Sequence, residues 1–113
     1  MEPQDPELAK RLKLRRMLTD ILGTTGQQET RTYYQPPNSE RMRYPAILYE
    51  RSKIRNRYAD NQVYGQTDEY QLTVVDENPD SGIVRAVSLL PGCRHDRHYK
   101  ADNLNHDVFT IHI

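Results

Sequence analysis

Apolar positions recur at helical spacing in two windows of this chain and alternate singly in most of the rest. In residues 5–22, Leu14, Met17, Leu18 and Ile21 fall at i, i+3, i+4 and i+7, and Leu22 widens the stripe. Asp5 as N-cap, Pro6 at the first helical position and Gly23 beyond the end bracket a helix. Its earlier turns carry Lys10, Arg11, Lys13, Arg15 and Arg16, so a surface helix that packs by its second half is expected. Residues 23–30 read as a polar connector. A short strand over 30–35 is stopped by Pro36-Pro37, which lack the amide donors a ladder needs. Residues 44–49 (YPAILY) form the next apolar run, with Pro45 confined to its start or to an edge. The clearest strand is 68–77, where Tyr70, Leu72 and Val74 face one way and Gln71, Thr73 and Val75 the other. Its β-forming residues predict a central position. Residues 78–81 then turn, with Asp80 or Ser81 as cap, into a second helix bearing Ile83, Val84, Val87 and Leu90, ended by Pro91-Gly92.

The last 22 residues, 92–113, read as a hairpin: a strand near 93–99, a turn rich in Asp and Asn, and a strand near 107–113. In the second strand Val108, Thr110 and His112 oppose Phe109, Ile111 and Ile113. The order helix, strand, strand, strand, helix, strand, strand predicts an α+β fold, an antiparallel or mixed sheet with both helices on one face, in a single domain.

Composition qualifies this picture. With 35% apolar residues, no Trp, one Phe and eight Tyr, the core is small and several polar segments lie outside it. Tyrosine and arginine are enriched at protein interfaces, so burial of those segments against other subunits is expected. Net charge is zero, which argues against a general nucleic-acid binder. Yet residues 1–57 hold 12 Lys/Arg against 7 Asp/Glu, and residues 58–113 hold 4 against 9. The halves are +5 and −5, a pattern suited to a head-to-tail contact between subunits. One cysteine forms no internal disulfide, no apolar run reaches membrane-spanning length, and no signal peptide is evident.

Between residues 50 and 67 (ERSKIRNRYADNQVYGQT) Lys53, Arg55 and Arg57 share one side of an extended segment, with Arg51 before them and Tyr58 and Tyr64 interleaved. A basic, aromatic strip of this kind could follow a nucleic-acid backbone. Overall neutrality favours an extended arm or hairpin that is buried in an assembly. The echo of YADN at 58–61 and KADN at 100–103 marks two turns of one kind.

Chemistry, if any, would sit in 92–113, which holds the sole Cys and all four His. Cys93, His95 and His98, with Asp96 among them and His106-Asp107 across the turn, are the candidate metal ligands. On a regular strand His98 faces away from Cys93 and His95 unless a bulge intervenes, and the spacing fits no standard ligand pattern. A Cys93–His106 nucleophile pair lacks an oxyanion loop and an orienting group. No phosphate-binding glycine motif is present. Neither a metal, a cofactor nor a catalytic residue is expected.

From Tyr44 onward, YPAILYER, YADN, YQLTVVDENPDSGI and LPGCRHDRHYKADNLNHDVFTIHI together resemble a family of small structural proteins from long-tailed bacteriophages, the tail terminator or tail completion proteins of the head–tail connection. NPDS and ADNLNHDVF are the most specific pieces. The family has an aromatic near position 95, where this chain has His95. The resemblance covers about the last 70 residues and implies an α+β subunit without catalytic residues. Such subunits assemble into a ring, usually of six, that caps the tail tube, stops its growth and offers a docking surface to the neck or head-closure protein. It implies a virion component, assembled in the host bacterial cytoplasm, with tube and neck proteins as partners and no membrane or sequence-specific nucleic-acid contact. The expected interface residues are Arg51, Lys53, Arg55, Arg57, Tyr58 and Tyr64 on the arm and Asp102, Asn103, Asn105 and His106 at the second turn. A head-closure or other neck ring is the nearest alternative, and a small nucleic-acid-binding regulator the alternative from another class.

Overall fold

The computed structural model describes residues 6–24, 26, 31–35 and 43–113. Its elements, in order, are α1 (Pro6–Thr24), β1 (Thr32–Tyr34), β2 (Ala46–Ala59), β3 (Gln62–Asp76), α2 (Gly82–Ser88), β4 (Cys93–Ala101) and β5 (Leu104–His112). The fold is α+β, in the order expected from the sequence. Asp5, Thr30, Pro36-Pro37 and most of the 23–30 connector lie outside the described residues.

One five-stranded sheet runs β1-β2-β3-β5-β4, with β3 at its centre. Only the β1–β2 pair is parallel, so the sheet is mixed. Alternation along β3 sends Tyr70, Leu72 and Val74 to one face, where Ile47 and Tyr49 of β2 and Phe109 and Ile111 of β5 join them. Both helices cover that face. Leu14, Leu18 and Leu22 of α1 are fully buried, with Ile83 and Val87 of α2 beside them. Burial of each such side chain stabilises the fold by roughly 1.5–3 kcal/mol, which is why the second half of α1 anchors and its basic residues stay outside. Arg11 lies over the Tyr34 ring at 4.5 Å, and Tyr34 packs on Tyr49 at 5.0 Å, tying α1 to β1 and β2. Lys10 Nζ stands 3.6 Å from the buried Asp68 carboxylate of β3.

Ser81 caps α2 by accepting the Ile83 amide, as the sequence allowed. The helix is only seven residues long, so Leu90, expected on its apolar face, lies beyond it. Gly92, at φ 74°, turns the chain into β4; a Cβ there would meet the His112 carbonyl oxygen at 3.0 Å. The strands outrun the apolar segments, and the expected 50–67 arm is the far part of a hairpin. β2 continues ten residues past the apolar run, and β5 begins at Leu104, so the second turn is Asp102-Asn103 alone.

Candidate functional site

The 50–67 segment is the far part of the β2–β3 hairpin. Asp60 and Asn61 close it with φ of 53° and 63°, a two-residue type I′ turn. Asp102 and Asn103 close the β4–β5 hairpin in the same way, at 53° and 62°. The repeated Ala-Asp-Asn thus encodes one turn geometry twice, because Asp and Asn tolerate the left-handed region. Past the Ile54–Asp68 pair no strand among the described residues flanks the first hairpin. Its tip therefore projects roughly 17 Å, at about 3.3 Å per residue, as a bare two-stranded arm.

Two faces of the arm differ in chemistry. Lys53, Arg55 and Arg57 alternate onto the face away from the helices, across from Glu69, Thr67 and Gly65. Arg55 Nε donates to Glu69 Oε1 at 2.6 Å, and this bond holds the Glu69 carboxyl below its usual range. The Arg57 guanidinium folds against Gly65, where a Cβ would approach it to 3.3 Å. Ile54 and Tyr58 occupy the helix-side face, with Val63 opposite Tyr58. Ile54 is 43% exposed, Val63 49%, Tyr58 62% and Tyr64 66%. Between these, Gln66 Nε2 donates to Asn56 Oδ1 at 2.9 Å. Arg51 sits at the base of the arm, opposite Tyr70.

The histidine segment builds a different site. A bulge at Asp96 shifts the β4–β5 register between His95 and Arg97. Strand parity is thereby reset, and His95 and His98 reach the same side. His95 Nε2 lies 3.1 Å, and His98 Nδ1 3.0 Å, from one oxygen of the buried Asp107 carboxylate. The His95 ring also meets Phe109 edge-on at 5.1 Å. Asp96 itself turns out of the ladder, accepting from Thr110 Oγ1 at 2.5 Å and from Arg94 Nε at 3.0 Å, which lower its pKa. Beside the His95 imidazole a cleft of about 420 Å³ opens between α2 and β4, bordered by Pro79, Asp80, Val84, Arg85 and Ser88.

Asp107, read from sequence as the start of the last strand and a candidate ligand across the turn, is therefore the buried hub of a His–Asp–His set, which required the register to be known. Among the described residues no three His, Cys, Asp or Glu side chains are arranged to hold a metal ion. Cys93 does not join the histidines: it packs half-buried against the core, and burial pushes its thiol up to about 11. It pairs with Ile111, while His106 pairs with Tyr99 five residues away on the other face of β5. The formal Cys93–His106 nucleophile pair is thus not brought together.

The expected interface residues divide between the two ends of the sheet. Arg51, Lys53, Arg55, Arg57, Tyr58 and Tyr64 stand exposed on or at the base of the arm, and Asp102 and Asn103 are exposed at the opposite end. Asn105 is a correction. It is buried, and its amide donates to the Asp76 and Glu77 carbonyls at 3.3 and 3.2 Å, fixing the exit of β3. His106 is half-buried under Tyr99, the rings stacked at 4.6 Å. The apolar members of the arm, Ile54 and Val63, were not singled out in sequence, although their place beside Tyr58 follows from the alternation once the hairpin register is fixed. No helix among the described residues is long and apolar enough to cross a membrane.

No protein-family model matches the chain, and no curated protein matches it. The geometry of the arm therefore carries the functional argument, beside the resemblance noted above.

Proposed function

We propose that this chain is a structural subunit of the bacteriophage head–tail connection, a tail terminator that forms a ring on the last ring of the tail tube. The observation that carries the reading is the bare β2–β3 arm. It leaves three large apolar side chains and a tyrosine at its bulge in solvent, on a hairpin too polar to have been built for a core. Isolated two-stranded hairpins are marginal in water, and aromatic and arginine side chains are favoured at interfaces. An arm of this composition gains its stability from a partner surface. The NPDS and ADNLNHDVF segments support the same assignment, and so does the ±5 charge division between the halves of the sequence. In a closed ring every subunit presents one surface and receives another, which suits unlike ends. The subunit acts by binding and by shape, without a catalytic group.

Purified tailed particles provide the test. The chain is expected at the head-proximal end of the tail, in a copy number matching one ring, and particles made without it are expected to carry tails of unregulated length. Its absence from particles contradicts the proposal. A ring found against the portal instead of the tube assigns the chain to head closure.

The row of Lys53, Arg55 and Arg57 on one face favours a second reading, a nucleic-acid-binding module. It predicts DNA binding that falls steeply with salt. No retention on DNA at low salt removes it.

A further inference from the structure

The unlike faces of the arm and the end of the sheet farthest from it fit one another in kind. That far end is where β3 passes into α2. Glu77 and Asp80 are exposed there, and Asp102 of the β4–β5 turn lies alongside, because Asn105 pairs with Asp76. None of the three makes an ion pair among the described residues. The cleft between α2 and β4 opens beside Asp80, with Pro79 and Val84 as apolar walls, and its roughly 420 Å³ is ample for an aromatic ring. At the other end the arm offers Lys53 and Arg57 on one face and Ile54, Tyr58 and Val63 on the other. The two surfaces lie at opposite ends of a molecule 51 Å long, so one chain cannot satisfy both by itself.

The open edges of the sheet point the same way. Among the described residues no strand pairs with the outer edge of β2 beyond Tyr49, and that stretch carries Lys53, Arg55 and Arg57. The outer edge of β4 likewise has no partner strand among the described residues, and it carries Arg94, Arg97 and Lys100. Both strands are bulged. Like charge and bulges on both edges oppose joining copies edge to edge into one continuous sheet. Contact through the ends remains.

We infer that a second copy of this chain covers the exposed faces of the arm, seating it across the β3–α2 end. The aromatic face enters the α2–β4 cleft and the basic face meets Glu77 and Asp80. The inference rests on the ring reading and names its subunit contact. Such a contact is heterologous, so it propagates from copy to copy and closes by rotation. Its charged part steers and registers the partners, while the aromatic anchors supply most of the affinity.

Two charge-reversed variants test it, K53E/R57E on the arm and E77K/D80K on the acceptor. All four positions are exposed, and circular dichroism verifies that each variant folds. Self-association is read by sedimentation and native mass at low salt. Each variant alone is expected to associate about 100-fold more weakly than the natural chain, since like charges then face each other. An equal mixture is expected to recover assembly with the two variants alternating, because the acidic arm of one fits the basic acceptor of the other. Tyr58→Ala is expected to weaken assembly and leave its salt dependence unchanged. Normal assembly of both variants alone overturns the contact and leaves a ring in place. A natural chain that stays monomeric throughout overturns the ring reading itself. Failure of the mixture to recover assembly also overturns the contact.

Discussion

The two hairpins of this protein share a turn and differ in everything that surrounds it. Ala-Asp-Asn closes each one in a type I′ geometry. The β4–β5 hairpin lies against β3 along the whole of β5, and Val108, Phe109 and Ile111 are buried. The β2–β3 hairpin leaves the sheet past Ile54, and every residue of β2 from Glu50 to Ala59 is exposed. Local sequence therefore sets where a strand reverses, and tertiary contact sets whether the hairpin belongs to the core or to a surface. Among the described residues the first hairpin is held to the molecule by its base alone. The second is part of the fold.

The largest test of that contrast is truncation of one aromatic from each hairpin. Phe109→Ala is expected to cost about 3–5 kcal/mol, from lost burial and the cavity left behind. Tyr58→Ala is expected to stay within about 0.5 kcal/mol in the isolated chain, as for other surface changes. Chemical denaturation of the two variants measures both. A cost above about 2 kcal/mol at Tyr58 would mean that the arm packs on its own subunit.

Next in size is the His–Asp–His set. Asp107→Ala removes a buried carboxylate and leaves the His95 and His98 ring nitrogens without their partner, at an expected cost on the order of 1–3 kcal/mol. An unchanged midpoint would show that the set contributes nothing to holding β4 at the sheet edge.

The turns offer a matched pair. Asn61→Val and Asn103→Val each place a β-branched residue at positive φ, at about 1–2 kcal/mol. At Asn103 the loss should appear in the global unfolding midpoint. At Asn61 it should appear only as faster amide exchange in the arm, with the midpoint unchanged. Equal midpoint shifts would make the arm an integral part of the cooperative unit.

The smallest effects are in titration. Because the Glu69 pKa is depressed in the folded chain, its contribution is complete above its ordinary value of 4.5 and is lost as pH falls through the lower folded value. Acid should therefore loosen the base of the arm only as pH falls below the ordinary carboxylate range, and Arg55→Ala should return the Glu69 carboxyl toward its ordinary value in an NMR titration. Asp96 should behave likewise when Thr110→Val removes its principal donor. With its thiol pushed up to about 11, Cys93 should react slowly with alkylating reagents at pH 8. Rapid alkylation of the folded chain would contradict its burial.

How much of this was legible in the sequence follows from what carries a periodic signal. The burial of Leu14, Leu18, Ile21 and Leu22, the two-sidedness of β3 and the seven-element order all rest on apolar repeats, and all are visible in one dimension. The length of β2 is not, since its distal pairs are polar: Arg55 with Glu69, and Asn56 with Gln66. The segment was legible as an extended arm or hairpin, but not the register of that ladder, which needs the partner strand. The Asp96 bulge was equally hidden, because one extra residue leaves the same residue types in the same order while moving His98 to the other face. Asn105 read as a turn residue by composition, and Asp107 as the first residue of the strand after it. A two-residue turn needs neither, and the strand buries both. The arm residues Lys53, Arg55, Arg57, Tyr58 and Tyr64 were legible as a group, and the register added the separation of basic from apolar faces.

In the proposed ring the arm exists to bind another copy of the chain. Native mass of the natural chain, measured over rising concentration and again with the tail tube present, tests it most directly. A closed species is expected, six times the 13.3 kDa chain for a hexamer, that disappears when the arm beyond Ile54–Asp68 is replaced by a short turn. A 13.3 kDa monomer under every condition, or a ring that persists without the arm, would contradict it.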